Sequence, residues 1–222
     1  MRPPEQSAER PAGDRPGTPR VVGIAGPSGS GKTTLAHAVA ARSRGIVFAL
    51  DAYYRDQRGR SHATLDVDVP DAIEIELAIA HLRELVAGAP VAQPVYDYAT
   101  HARTGATRTL VPAPLVLVEG LFALYWTELR ALCRTRIFVA LDHDECLRRR
   151  IERDVRERGR APADITAQYE RVVRPMYERH VAPTRSHAHL VLDGRESLVE
   201  LTDSIVDALG RATRRSEGEA QG

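Results

Sequence analysis

Gly26-Pro27-Ser28-Gly29-Ser30-Gly31-Lys32-Thr33 decides the architecture of this 222-residue chain. The octapeptide has the spacing G-x-x-x-x-G-K-[ST]. An apolar run, Val21–Ala25, precedes it, and an Ala-rich stretch with helical pattern, Thr33–Arg42, follows. Strand, glycine-rich loop and helix start in that order form a phosphate cradle, the P-loop. The glycines let successive backbone N–H groups converge on phosphate oxygens, at a helix N-terminus that already favours anions. ATP is therefore the expected nucleotide, held by Gly26, Pro27, Ser28, Gly29, Ser30, Gly31, Lys32, Thr33 and Thr34. Lys32 is expected to be exposed in the crevice and to reach the β- and γ-phosphates, with the Thr33 hydroxyl on Mg²⁺.

Composition narrows the class. Lys and Arg total 31 against 30 Asp and Glu, and the only lysine is Lys32. Everywhere else the chain uses Arg, whose broad fork does not fit between phosphate oxygens as a compact ammonium does. The near balance of charge excludes a broadly basic nucleic-acid-binding surface. Cys133 and Cys146 cannot build a disulfide framework, and no apolar run has membrane-spanning length. The N-terminus has no apolar signal core, so the expected location is cytoplasmic, with no membrane and no nucleic-acid partner. A GTPase is disfavoured, because the Asn-Lys-x-Asp element that selects guanine needs a second lysine. The Leu-Ser-Gly-Gly-Gln signature of a transport ATPase is absent.

Residues 1–19 and 211–222 read as disordered tails around a single domain, 20–210. Between them apolar runs alternate with helical patterns, which predicts a parallel α/β sheet. The expected core strands are Val21–Ala25, Ile46–Leu50, Leu115–Val118, Arg136–Leu141 and His189–Leu192. The expected helices are Thr33–Arg42, Ala72–Val86, His143–Glu157, Ile165–Val181 and Ser197–Leu209. Two intrusions follow the second strand: a polar segment at about 52–70, and a hairpin at 91–111 with its turn near Thr104-Gly105.

Two acids end apolar strands. Glu119 closes Leu115–Val118 and suits the metal side of a P-loop site. Asp51 follows the second strand and suits removal of a proton from an attacking hydroxyl. Ligands of open α/β sheets lie beyond the carboxyl ends of the strands, so one crevice can collect both acids and the P-loop. The charged run Arg148–Arg160 reads either as a solvated helix with Arg150–Asp154 and Arg153–Glu157 pairs, or as a mobile cationic lid over ATP, about 148–165, hinged at Gly159. In the hairpin, Tyr96 and Tyr98 share one face with His101 just beyond, and could stack on a ring and hydrogen-bond it. His187 and His189 have no metal-ligand spacing and read as structural.

Taken together these segments resemble the uridine kinases within the phosphoribulokinase/uridine kinase group of P-loop kinases. The resemblance runs from about Val21 to Leu192. It rests on the P-loop, Asp51-Ala52-Tyr53-Tyr54-Arg55, Pro70-Asp71-Ala72, Pro94 to Tyr98 with His101-Ala102-Arg103, Glu119-Gly120, Arg150 to Arg160, and Gln168-Tyr169 with Arg174-Pro175. The resemblance implies a P-loop NTPase fold of the nucleoside/nucleotide-kinase type: a three-layer α/β sandwich with a five-stranded parallel core sheet, an inserted β-hairpin and a helical lid. It implies phosphorylation of the 5′-hydroxyl of uridine or cytidine with ATP and Mg²⁺, by a homo-oligomer (dimer or tetramer). Asp51 would be the general base and Lys32 would serve catalysis. Asp68, Arg150 and Gln168 would hold the ribose, assisted by Arg160. Tyr96 and His101 would read the pyrimidine with Tyr98 packing nearby, and Arg153 and Arg158 would form the lid over ATP. Thr33 and Glu119 would serve the metal. Val67 and Val69 depart from the family pattern of an aromatic before and a His after the ribose acid, and Asp66 competes with Asp68 for that alignment. Related acceptors, ribulose 5-phosphate, pantothenate or another nucleoside, remain open, as does a non-catalytic ATP-binding regulator.

Overall fold

The computed structural model describes residues 18–57, 68–98 and 100–219, with side chains as far as Arg211. The strands are β1 (Arg20–Ala25), β2 (Ile46–Ala49), β3 (Val91–Asp97), β4 (Ala102–Leu110), β5 (Leu115–Glu119), β6 (Thr135–Ala140) and β7 (Leu190–Asp193). The helices are α1 (Lys32–Arg42), α2 (Ile75–Val86), α3 (Thr127–Leu132), α4 (His143–Arg158), α5 (Pro162–Gln168), α6 (Arg174–Met176) and α7 (Leu198–Glu219). Five strands form one parallel sheet in the order β2-β5-β1-β6-β7, and β3 and β4 pair antiparallel beside it.

Every residue of β5 is buried, as is all of β1 after Arg20. Such unbroken apolar strands need cover on both faces, which is why helices flank the sheet on each side. On one face Phe48, Phe122 and Phe138 pack with Leu82 and Leu85 of α2. On the other, Val22 and Ile24 pack with Leu35 and Val39 of α1 and Ile205 of α7. The result is the expected three-layer α/β sandwich with a five-stranded parallel core.

Register positions the chemistry. Glu119 is level with Ile24 on one side and Ala49 on the other. The segments leaving β1, β2 and β5, which carry the P-loop, Asp51 and Gly120, therefore emerge side by side at the carboxyl edge.

The structure corrects several boundaries. The hairpin reverses between Asp97 and Ala102, not near Thr104-Gly105. There His101 takes the left-handed conformation, φ 53°, and the Thr100 hydroxyl donates to Asp97 Oδ2 at 2.7 Å. Gly105, φ 80°, instead serves a bulge inside β4, where the register slips between Pro94 and Tyr96 and the Thr104 hydroxyl donates to the Val95 carbonyl. Glycine marks both turns and bulges, and only pairing separates them. The helix expected from Ile165 starts earlier, at Pro162, because proline is tolerated in a first turn. From Tyr169 to Val181 it widens to π pitch on either side of α6, which accommodates Pro175 where a missing N–H would break an α-helix. The last helix runs to Glu219, so 211–219 is helical where composition reads a tail. Once Leu201, Ile205 and Leu209 anchor one face, each further residue adds a hydrogen bond at little cost. Short α3 has no counterpart in the sequence reading. Residues 1–17 of the expected N-terminal tail, and 58–67 of the polar intrusion including Asp66 and Val67, lie outside the described residues.

Candidate active site

A cavity of about 410 Å³ opens at the carboxyl edge of the sheet. It is lined by Ser28, Gly29, Gly31, Lys32, Thr33 and Thr34 from the P-loop, and by Asp51 and Asp68. Tyr96, Tyr98 and His101 line it from the hairpin, and Arg150, Arg153, Arg158, Arg160 and Gln168 from the lid side. Gly26, Pro27, Ser30 and Glu119 stand behind this surface.

The P-loop is shaped by what it leaves out. Gly31 caps α1 at φ 85° with no side-chain cap hydrogen bond among the described residues, and that turn carries no acid. A helix start without its own cap presents those donors to an incoming anion. Gly29, φ 90°, crosses α4 so closely that a Cβ there would stand 2.7 Å from the Cys146 carbonyl oxygen. Lys32 corrects one expectation: it is only 8% exposed, its Nζ 3.4 Å from the Pro27 carbonyl oxygen. The ammonium is folded over its own loop rather than standing free in the crevice.

Behind the loop, Thr33 Oγ1 donates to Glu119 Oε2 at 3.0 Å. Glu119 is buried at the end of β5, and that burial, with Asp51 nearby, pushes its carboxyl up to about 7 against the pull of Lys32 and Thr33. Among the described residues no group of three or more His, Cys, Asp or Glu could hold a metal by itself. A hydroxyl and a carboxylate beside a phosphate cradle do fit Mg²⁺, which keeps waters and takes most ligands from phosphate. Gly120 turns the chain tightly enough that a Cβ on it would meet Leu50 Cβ at 2.9 Å. This close approach, with the parallel pairing of Ala49 opposite Glu119, sets Asp51 beside Glu119.

The lid side is organised by an acid that sequence reasoning left in a solvated pair. Asp154 is 0% exposed. Its oxygens lie 2.9 Å from Arg153, 3.3 Å from both Arg158 and Arg160, and 3.8 Å from Arg150. Burial works to raise its carboxyl, but the guanidinium groups of Arg153, Arg158 and Arg150 outweigh it and hold the group below the usual carboxylate range. Arg150 also donates to the Ser28 hydroxyl at 3.0 Å, joining α4 to the P-loop. The sign that could have found Asp154 was its central place in the arginine run: one acid with arginines at −4, −1, +4 and +6.

On the acceptor side Tyr96 packs against Tyr54 and Tyr98, each with ring centroids 5.4 Å apart. The Tyr96 hydroxyl and Gln168 Oε1 are buried without hydrogen-bond partners among the described residues, and such groups call for a polar ligand. Arg103 fixes the hairpin by donating to the carbonyls of Tyr54 at 3.1 Å and Tyr53 at 3.2 Å, and by pairing with Glu74. Tyr54 and Leu121 also line the cavity without having been singled out.

A phosphate-binding loop, two carboxylates at strand ends and an arginine-bearing lid around one cavity define a P-loop kinase. The chain belongs to the Phosphoribulokinase / Uridine kinase family, whose model it matches over residues 21–199. It is 39% identical over 190 residues to the uridine kinase of Streptococcus mutans serotype c, covering 82% of this chain and 91% of that protein. It is 40% identical over 181 residues to the uridine kinase of Staphylococcus epidermidis, covering 78% and 86%. Among solved structures it is similar to the phosphoribulokinase from Rhodobacter spheroides, with a TM-score of 0.55 and 19% identity, covering 77% of this chain and 68% of that one. This last likeness concerns the fold alone.

Proposed function

We propose that the protein transfers the terminal phosphoryl group of ATP to the 5′-hydroxyl of a pyrimidine ribonucleoside, turning uridine or cytidine into its monophosphate in pyrimidine salvage. The observation that carries this reading is a single cavity lined by Lys32, Thr33 and Asp51 together with Tyr96 and His101 of the hairpin. The uridine kinases to which the chain is similar support it.

In this reading the P-loop N–H groups and Lys32 hold the phosphates, and Arg153 and Arg158 cover them. Asp51 takes the proton of the 5′-hydroxyl as its oxygen bonds to the γ-phosphorus and the bond to the bridging oxygen of the departing ADP breaks. Bound Mg²⁺, held by Thr33 and Glu119, would supply charge neutralisation on the phosphate oxygens. Asp68, Arg150 and Gln168, with Arg160, hold the ribose, and Tyr96 and His101 read the pyrimidine. Three tyrosines on the acceptor side, Tyr54, Tyr96 and Tyr98, favour a ring-bearing acceptor. Among the described residues no helix is long and apolar enough to cross a membrane. A cytoplasmic location and a homo-oligomeric assembly belong to the same proposal.

The test is ATP consumption with uridine, cytidine, their 2′-deoxy forms, ribulose 5-phosphate and pantothenate, with and without Mg²⁺. Uridine and cytidine should lead. They should exceed the deoxy forms by at least ~10-fold in kcat/KM, because a lost hydroxyl leaves buried polar groups unpaired. Asp68→Ala should shrink that ratio and Asp66→Ala should not. Turnover confined to ribulose 5-phosphate or pantothenate would overturn the reading.

A further inference from the structure

Tyr98 does more than pack beside a base. Its hydroxyl donates to Asp51 Oδ2 at 3.1 Å. Its ring lies edge-on to Tyr96, and the guanidinium carbon of Arg158 sits 4.8 Å from the ring centroid. One side chain thus touches the candidate base, the acceptor aromatics and the lid.

The two oxygens of Asp51 are not equivalent. Oδ1 is buried without a hydrogen-bond partner among the described residues, on the side of Gly120, where an added Cβ would stand 3.5 Å away. Asp51 nevertheless lines the cavity and is partly exposed, so Oδ2 is the oxygen it offers there. An ionised carboxylate oxygen accepts more than one hydrogen bond, so Oδ2 can hold the Tyr98 hydroxyl and receive an acceptor hydroxyl beside it.

We propose that Tyr98 is a positioning residue: its hydroxyl pins the Asp51 carboxylate with Oδ2 toward the acceptor, and its ring makes that pinning depend on Arg158 of the lid. The inference rests on the kinase reading above, in which Asp51 is the base. Partial burial, with the Asp51 charge, pushes ionisation of the Tyr98 phenol far above its ordinary value, so it remains a donor across the working pH range. A guanidinium over an aromatic face is attracted to it, so lid closure and base alignment share one contact. When the lid opens, the ring loses its cation and the carboxylate its fixed orientation, which would disfavour transfer before the site is covered.

Tyr98→Phe removes the hydroxyl and keeps the ring, and Tyr98→Leu removes both. Each is compared with the wild type on the acceptor that the wild type phosphorylates fastest, with melting temperatures recorded alongside. Phe should lower kcat by roughly 10–100-fold, the worth of one hydrogen bond to a charged group, with KM for ATP and the melting temperature unchanged. Leu should lose at least as much in kcat and also raise KM for ATP, because Arg158 loses its seat. Wild-type kcat in the Phe variant, a higher kcat, or a loss confined to KM for the acceptor would each overturn the proposal. A fall in all parameters that follows a lower melting temperature would overturn it too, by making the role merely structural. A wrong acceptor assignment would show in the wild type's own substrate panel, whereas this inference stands or falls on the variant-to-wild-type ratios.

Discussion

The two walls of the cavity are made of different material. On the sheet side the ligand meets backbone: the uncapped start of α1, Gly31 at φ 85°, and Gly29 with no room for a Cβ. On the lid side it meets side chains: arginines gathered on the buried Asp154, and a hairpin tied to its neighbours by Arg103. A wall of backbone is spelled in sequence as glycine at fixed spacing, because nothing else fits. A wall of ion pairs is spelled as charge, which also spells an ordinary solvated helix. The same contrast appears at two helix starts. The Asp142 side chain accepts from the Glu145 N–H at the start of α4, closing that end, while α1 has no such cap and stays open to an anion.

The comparison breaks most visibly at Lys32, the one side chain the backbone wall needs. Lys32→Ala should give a folded protein by circular dichroism with phosphotransfer abolished. Lys32→Arg should be as damaging, since the guanidinium fork cannot take the place of a compact ammonium among phosphate oxygens. Wild-type turnover by either variant would remove Lys32 from the site. Asp51→Asn comes next. It keeps shape and loses the proposed base, so kcat should fall by ~10²–10⁴ with KM for ATP nearly unchanged. A fall below about threefold, outside that general-base range, would exclude Asp51 from proton transfer.

The lid wall should fail more gradually. Asp154→Asn leaves the arginines without their common anion, so they repel and spread. The loss of one charge-assisted interaction, about 1.5–3 kcal/mol, corresponds to roughly 10–100-fold in kcat/KM for ATP. Increasing salt should narrow that gap by screening the arginines from one another. Equal kinetics for variant and wild type at low salt would show that Asp154 does not order the lid.

Legibility in the sequence follows the same divide. The five core strands were readable because each is a short apolar run bounded by turn residues, and parallel register then placed Gly26, Asp51 and Glu119 at one edge without further information. The P-loop was readable because its glycines answer to geometry. The hairpin turn was not, since Gly105 suits a turn as well as a bulge and only the pairing with Pro94 and Tyr96 separates them. The central role of Asp154 was not readable either: an i,i+4 pair at a surface and a fully buried anchor for several arginines have the same spacing. The Tyr98 contacts with Asp51 and Arg158 join three segments distant in sequence, and no local pattern records such a meeting.

The smallest expected effect lies where the two walls meet the proposed metal position. Burial and the Asp51 charge raise the Glu119 carboxyl from its ordinary 4.5 to about 7. With neither nucleotide nor metal bound, the folded chain therefore holds a proton between about pH 4.5 and 7 that the unfolded chain has released. Stability from this group is fully present below about 4.5 and is lost as pH rises through about 7. Glu119→Gln fixes the neutral form. In metal-free buffer at pH 8 the variant should melt higher than wild type, by on the order of a few degrees for a domain of this size. The gap should close toward pH 5, where the wild-type carboxyl is itself protonated. Saturating Mg-ATP at pH 8 should reverse the order, because the ionised carboxylate then has a cation to stabilise it and the amide holds that cation poorly. A variant that melts lower than wild type at pH 8 without ligand would mean that Glu119 is already well paired within the chain. The strand-end acid would then belong to the protein's own ion pairs, and the metal side of the site would have to be sought elsewhere along the carboxyl edge.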